Sequence, residues 1–219
     1  MTKTCSDTIC FAGADLGRHR HVCAFFNGAE NAFTVLAPFI REGFLCSHRA
    51  VHLVGADKRE AHLAHLRCEG IDTEALQRSG QLEVLSTVET YLQDGRFDKG
   101  RMVESFTAMA SGNREAKYPL SRIVCDMDWA ADAPDHLEDL IEFESRVNDL
   151  WSQHDDIVIC VYDLARFGGD TIVDILRTHP LVVIGGILRE NPFFVPPAQF
   201  LKELRERHSG KEGQSVAAE

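Results

Sequence analysis

The sequence predicts an α/β fold built on a mostly parallel sheet of about six strands, with helices on both faces. Three observations carry that expectation. Six short apolar runs, at residues 22–26, 50–55, 81–85, 121–127, 156–162 and 181–188, are separated by segments with helical spacing. The fifth is almost unbroken, as in strands that a parallel sheet buries on both sides. And residues 21–55 read strand, tight loop, helix, strand, the βαβ unit that places two parallel strands side by side.

The elements follow in order. Residues 1–20 show no periodic apolar pattern and are expected to be a mobile lead-in or a local cover. After the first strand, Asn27-Gly28 turns the chain into a helix whose interior holds Pro38, a residue expected to kink the helix or delay its start. Residues 58–69 place Ala61, Leu63, Ala64 and Leu66 on a second helix stopped by Gly70. Asp98 is a candidate cap for a helix whose apolar face is Met102, Val103, Phe106 and Met109. Leu137, Leu140, Ile141, Val147, Leu150 and Trp151 recur at helical steps and mark the clearest helix. Helices are also expected at 171–177 and 198–207, the first broken by His179-Pro180. The composition of 209–219 predicts disorder. One domain over 21–208 fits a chain of 219 residues.

Composition excludes several functions. The formal charge is −11, from 23 basic and 34 acidic residues, which disfavours direct contact with nucleic acid or an anionic membrane. No apolar run is long enough to span a bilayer, and residues 1–14 lack the core of a secretory signal. Seven scattered cysteines, several inside apolar runs, fit a reducing cytoplasm. Cys5 and Cys10 form a weak thiol pair with no further ligand nearby in sequence.

The loop between the first strand and its helix decides against nucleotide hydrolysis. In a nucleotide hydrolase this position carries a glycine-rich loop ending in Lys-Ser/Thr. Here it reads Phe26-Asn27-Gly28-Ala29-Glu30-Asn31-Ala32, with one glycine, no lysine, no hydroxyl for magnesium and a carboxylate that would repel a triphosphate. No Ser-His-Asp or Cys-His-Asn pattern marks a hydrolase either. The chain is therefore expected to be non-catalytic.

Parallel α/β sheets bind ligands beyond the carboxyl ends of their strands. That rule selects Phe26, Asn27 and Glu30 after the first strand, and Asp126, Asp128 and Trp129 after the fourth. It adds Tyr162, Asp163 and Arg166 after the fifth, and Arg189, Glu190 and Asn191 after the sixth. An aromatic ring with a few charges suits a small, partly apolar molecule. Trp129 and Tyr162 are candidate pocket walls, with plain core packing as the alternative. Asp126 and Asp128 stand either in a ligand-ordering network or as helix caps. Glu144 lies one turn from Asn148, close to the apolar stripe of its helix, and needs a partner there. That partner is a ligand or an arginine among Arg122, Arg166 and Arg189. His62 and His65 read as a solvated helix face.

His21 and Cys23 leave one face of the first strand, and His179 lies at a helix-to-strand edge. Together they are the candidates for a metal ion or haem. The other reading has His21 bonding backbone and Cys23 packed in the core. No cofactor is predicted otherwise.

Several pieces recur in one order: His21-Val22-Cys23-Ala24-Phe25-Phe26, Pro38-Phe39-Ile40-Arg41-Glu42-Gly43, Gly80-Gln81-Leu82 and Gly95-Arg96-Phe97 before Met102. Then come Asp126-Met127-Asp128-Trp129, Phe143-Glu144 with Asn148, Cys160-Val161-Tyr162-Asp163, Arg177-Thr178-His179-Pro180, and Asn191-Pro192-Phe193-Phe194 with Pro197. From about residue 21 to 200 this set resembles the MEDS domain, the methanogen/methylotroph sensory domain named after a dichloromethane-responsive regulator. The chain departs from the family at Cys46-Ser47-His48, where a Gly-Glu pair is usual, and at Asp126, where Glu is favoured. The resemblance implies a RecA-like sheet that has lost nucleotide hydrolysis and senses a small hydrocarbon or methylated compound. It also implies an output through a regulatory partner such as a histidine kinase or DNA-binding protein. The expected function is a cytoplasmic ligand-sensing module that signals to a separate protein and possesses an edge or final helix suited to homodimerisation. A metal- or haem-dependent sensor or enzyme is the alternative, and a nucleotide-binding ATPase the third reading.

Overall fold

The computed structural model describes residues 8–116 and 118–216, with the side chains of 110–116 and 208–216 outside that description. Cys5 and the end of the tail at 217–219 also lie outside the described residues.

The chain begins with a small hairpin, β1 (Cys10–Phe11) and β2 (Ala14–Asp15). Neither residue range suggested a strand, yet Ile9, Phe11 and Leu16 are buried, and Leu188 donates its backbone N–H to the Ala12 carbonyl at 3.1 Å. From Ile9 onward the expected lead-in is a cover packed on the domain. Its turn holds Ala12 and Gly13 at positive φ.

The main sheet has seven strands rather than six. They are β3 (His21–Phe26), β4 (Arg49–Val54), β5 (Leu82–Ser86), β6 (Ser121–Asp126), β7 (Ile157–Asp163), β8 (Leu181–Ile184) and β9 (Ile187–Glu190). The order is β5-β4-β6-β7-β3-β8-β9, parallel throughout except for the antiparallel β8–β9 pair. The extra strand comes from the apolar run 181–188, which Gly185 and Gly186 fold back on itself at φ +60° and +76°. That left-handed pair is the geometry a two-residue hairpin demands.

Strand alternation divides the core. Val22, Ala24 and Phe26 face α1 (Ala29–Leu45) and α2 (Arg59–Cys68), whose Leu36, Phe39, Ile40, Leu63 and Leu66 bury against them. Cys23 and Phe25 face the opposite layer, formed by α5 (Lys99–Ala116), α7 (Leu137–Trp151), α8 (Gly169–Thr178) and α9 (Pro197–Val216). Short helices α3 (Thr73–Ser79), α4 (Thr87–Tyr91) and α6 (Trp129–Asp132) bridge the strand ends. Asp98 caps α5 through the Arg101 N–H at 2.8 Å, as its position suggested. α9 continues through most of the segment for which composition predicts disorder.

Two local features shape the site. Pro38 neither ends nor delays α1 and lies on the helix's exposed face. The loop before α1 is only Asn27-Gly28, with Gly28 at φ +84° and no side-chain cap. No helix among the described residues is long and apolar enough to cross a membrane. Five cysteines, Cys10, Cys23, Cys68, Cys125 and Cys160, are free thiols, whereas Cys46 is disulfide-bonded.

Candidate functional site

At the carboxyl ends of β3, β4, β6 and β7 a cavity of about 370 Å³ opens between α1 and α2. Ala32, Leu36 and Ile40 of α1, with Val54, Val124 and Val161 from the strands, form its apolar wall. The volume lies at the small end of the range for small-molecule sites. A wider groove of about 1090 Å³ runs along α1 and the β1–β2 hairpin, with Arg41, Glu42 and Glu69 among its lining residues.

The cavity's polar side is a closed network. Lys58, just after β4, extends its ammonium to Asp126 at 2.9 Å and Asp128 at 2.8 Å. The other Asp126 oxygen accepts the Asp128 N–H at 3.0 Å, and Asp128 accepts the Asp163 N–H at 3.1 Å. Leu164 N–H then reaches the Phe26 carbonyl at 2.9 Å. Burial opposes the charge on Lys58, yet the hydrogen bonds it donates to Asp128 and Asp126 raise its pKa above the ordinary lysine value. The protein's own cation thus bridges the two carboxylates and offsets one of their two negative charges.

Two histidines complete the wall, correcting the reading of 62 and 65 as a solvated face. His62 and His65 of α2 both line the cavity, and His62 Nε2 meets His52 Nδ1 at 2.9 Å. Burial holds His62 down at about 4, with the nearby His65 and Arg59 adding to the effect. His52, wholly buried on β4, is held well below the ordinary histidine value by burial and by His62.

Of the residues selected by the strand-end rule, Phe26, Asp126, Asp128, Tyr162, Asp163 and Arg166 border this cavity. Asn27 and Glu30 are exposed and stand off it. Trp129 packs into the core, its ring 4.9 Å from Tyr91 and 5.7 Å from Phe97. Asn191 is structural: its side-chain amide donates to the Leu176 carbonyl at 2.6 Å and the His179 carbonyl at 2.7 Å. Lys58, placed by a short turn, belongs to no motif that would have selected it from the sequence.

A second cluster lies across the sheet, beneath α7. His21, Glu144, Cys160 and His179 bring their ligand atoms within 4.8 Å of one another, all buried. Glu144 Oε2 is 3.0 Å from His21 Nε2 and 3.4 Å from His179 Nε2. Cys160 Sγ lies 3.6 Å from His21 Nε2 and 3.7 Å from Glu144 Oε2. Tyr162 donates its hydroxyl to Glu144 Oε1 at 3.3 Å. Burial opposes ionisation of Glu144, but His179 and then His21 hold its pKa below the ordinary carboxylate range. Burial, with His179 nearby, pushes His21 down to about 4.

This geometry corrects two expectations. None of the three candidate arginines pairs with Glu144: Arg122 lies on the other face with Glu42, Arg166 pairs with Asp132, and Arg189 is exposed. And His21 and His179 meet Cys160 rather than Cys23, whose thiol instead donates to the Leu181 carbonyl at 3.6 Å. Cys23 and Cys160 are direct partners in the β3–β7 register, so which thiol reaches the histidines depends on strand pairing. One strand's sequence contains no such information.

The family model described as the MEthanogen/methylotroph, DcmR Sensory domain matches residues 20–180. Over 170 residues the chain is 25% identical to the transcriptional repressor DcmR of Methylorubrum extorquens, a stretch covering 77% of this chain and 61% of that protein. The aligned region thus spans about 61% of the length of this curated relative. Because the family match takes in well over half of the residues, both the cavity's walls and the buried cluster among them, the chain belongs to the MEDS family of sensory domains.

Proposed function

We propose that this domain is a non-catalytic sensor in which a small, partly apolar molecule occupies the cavity between α1 and α2. The observation that carries the reading is the exchange of roles at the strand ends. Where a hydrolase has a phosphate loop there is a two-residue turn, and where it has a metal-binding acid there is a Lys58–Asp126–Asp128 lock beside an aliphatic wall. Such a site favours apolar contact with a few polar anchors over triphosphate binding. The scaffold is read as a RecA-like sheet that no longer handles nucleotides.

A ligand seated there touches segments already tied to one another, through Asp128 to Asp163 and Leu164 to Phe26. Its binding would order these strand ends together. The signal then passes to a regulatory protein in the cytoplasm, of the DNA-binding or kinase type, in keeping with the relative's name as a transcriptional repressor.

Native mass spectrometry of freshly purified protein tests the reading. The expected result is a retained small molecule lost on denaturation, and absent from Ala61→Phe, which fills the cavity from a position exposed on α2. ATP turnover, or nucleotide retained in place of such a molecule, would overturn it.

A further inference from the structure

We propose that His21, Glu144, Cys160 and His179 form a closed four-ligand site for one divalent transition-metal ion of the zinc class. The cluster lies beneath α7, across the sheet from the ligand cavity, and Tyr162 borders both.

The first argument is hydrogen-bond accounting. The Asn148 amide nitrogen donates to the carbonyls of Thr178 at 2.7 Å, Ser145 at 3.1 Å and Glu144 at 3.3 Å, which fixes its oxygen toward His21 Nδ1 at 3.2 Å. His21 must therefore donate from Nδ1. His179 Nδ1 likewise faces the Ile175 carbonyl at 2.8 Å and must donate there. With their Nδ1 atoms so engaged, both Nε2 atoms turn toward the Glu144 carboxylate, at 3.0 Å from His21 and 3.4 Å from His179, in position to act as ligand atoms. His179 Nε2, fully buried, has no hydrogen-bond partner, which leaves a place for a cation among these groups.

The second argument is distance. Metal bonds of about 2.0–2.1 Å to nitrogen or oxygen and about 2.3 Å to sulfur set tetrahedral edges of roughly 3.3–3.4 Å and 3.6 Å. Four of the cluster's six separations match these edges, with N···O at 3.0 and 3.4 Å and sulfur at 3.6 and 3.7 Å, and the two remaining pairs, both involving His179, lie within 4.8 Å. The third is the surroundings. Each histidine is anchored through its other nitrogen to an amide or carbonyl oxygen, and the carboxylate's second oxygen accepts from Tyr162. Metal sites use the same outer layer to aim their ligands.

Charge also closes. A carboxylate and a thiolate offset the ion's two positive charges, leaving a neutral buried centre. Binding releases the Cys160 proton to solvent, and no electron is transferred. With four protein ligands and no open position, the ion would join β3, β7, α7 and the end of α8 rather than perform chemistry.

Cobalt titration of the full chain, followed by elemental analysis of zinc-loaded protein, tests this. One equivalent per chain is expected, with tetrahedral visible bands and a thiolate-to-cobalt charge-transfer band. Cys160→Ser should abolish the charge-transfer band, while Cys23→Ser keeps it. Asn148→Ala should weaken binding by about 10–100-fold. Circular dichroism of each variant establishes that it is folded, and Glu144→Gln, nearly isosteric, provides a second ligand variant should Cys160→Ser unfold. Failure of the folded wild type to take up either metal would overturn the proposal, as would a charge-transfer band that follows Cys23. Neither result bears on whether the cavity retains a ligand.

Discussion

Gly43 in α1 offers a sharp test of how the sheet and its first helix are fitted. A Cβ at this position would lie 2.8 Å from Arg122 Cδ and 2.9 Å from its Nε. Arg122 cannot readily move aside: it is buried, stacks over Phe39 at 4.3 Å, donates to Glu42 at 3.2 Å and to His48 at 3.1 Å, and reaches the Phe39 carbonyl. Gly43→Ala should gain about 1 kcal/mol from helix propensity. Against that stand overpacking of about 1–3 kcal/mol and weakened charge-assisted hydrogen bonds of about 1.5–3 kcal/mol. The net expectation is a loss of about 2–4 kcal/mol, or very roughly 4–16 °C in Tm for a domain of this size. Urea denaturation of Gly43→Ala, Arg122→Met and the double variant would measure it. If the contact is the cause, the alanine costs little or becomes favourable once Arg122 is removed. An equal cost in both backgrounds would refute the reasoning.

Other expectations concern acid, backbone and metal. His48 and His62 are each held near 4, His48 by burial and Arg122, and burial with His62 nearby keeps His52 well below its ordinary value, so the unfolded chain binds more protons than the folded one below the ordinary histidine value of about 6.5. Stability should therefore fall as pH drops from about 6.5 toward 4, by at most about 1.4 kcal/mol per pH unit for each histidine and less for half-buried His48. Urea midpoints at several pH values check this, and His62→Gln should flatten the slope. Gly185→Ala and Gly186→Ala should each cost about 1–2 kcal/mol, because both glycines occupy left-handed backbone. Thermal melts read that loss. Chelator treatment of metal-loaded protein should lower Tm, with Cys160→Ser insensitive to it.

The sheet could be read from the sequence where burial is continuous, as along β3, β6 and β7, since two-sided burial writes itself as unbroken apolar runs. It could not be read where one residue pair reverses direction. Gly185-Gly186 sits inside an apolar run, and hydrophobicity alone does not separate one long strand from a hairpin. α3 was hidden for the opposite reason: Thr73 is its only buried residue, so no apolar stripe announces it. The strand-end rule found Asp126, Asp163 and Arg166 because topology places them, but overlooked Lys58 and the α2 histidines because helix rotation decides which side chains turn inward. Glu144 was recognisable as a carboxylate in need of a partner. Its histidine partners were not, because they lie on separate elements that only the folded sheet brings under α7.

The brevity of the turn at Asn27-Gly28 has an evolutionary consequence. α1 starts at Ala29, directly after that glycine, and Glu30 occupies its first turn. Exchanging residues there for lysine and serine would supply charge and a hydroxyl, but not the arch of backbone amides that wraps around a polyphosphate. Building that arch requires inserted residues and a helix that begins later. Single substitutions at this turn therefore cannot by themselves supply a polyphosphate cradle.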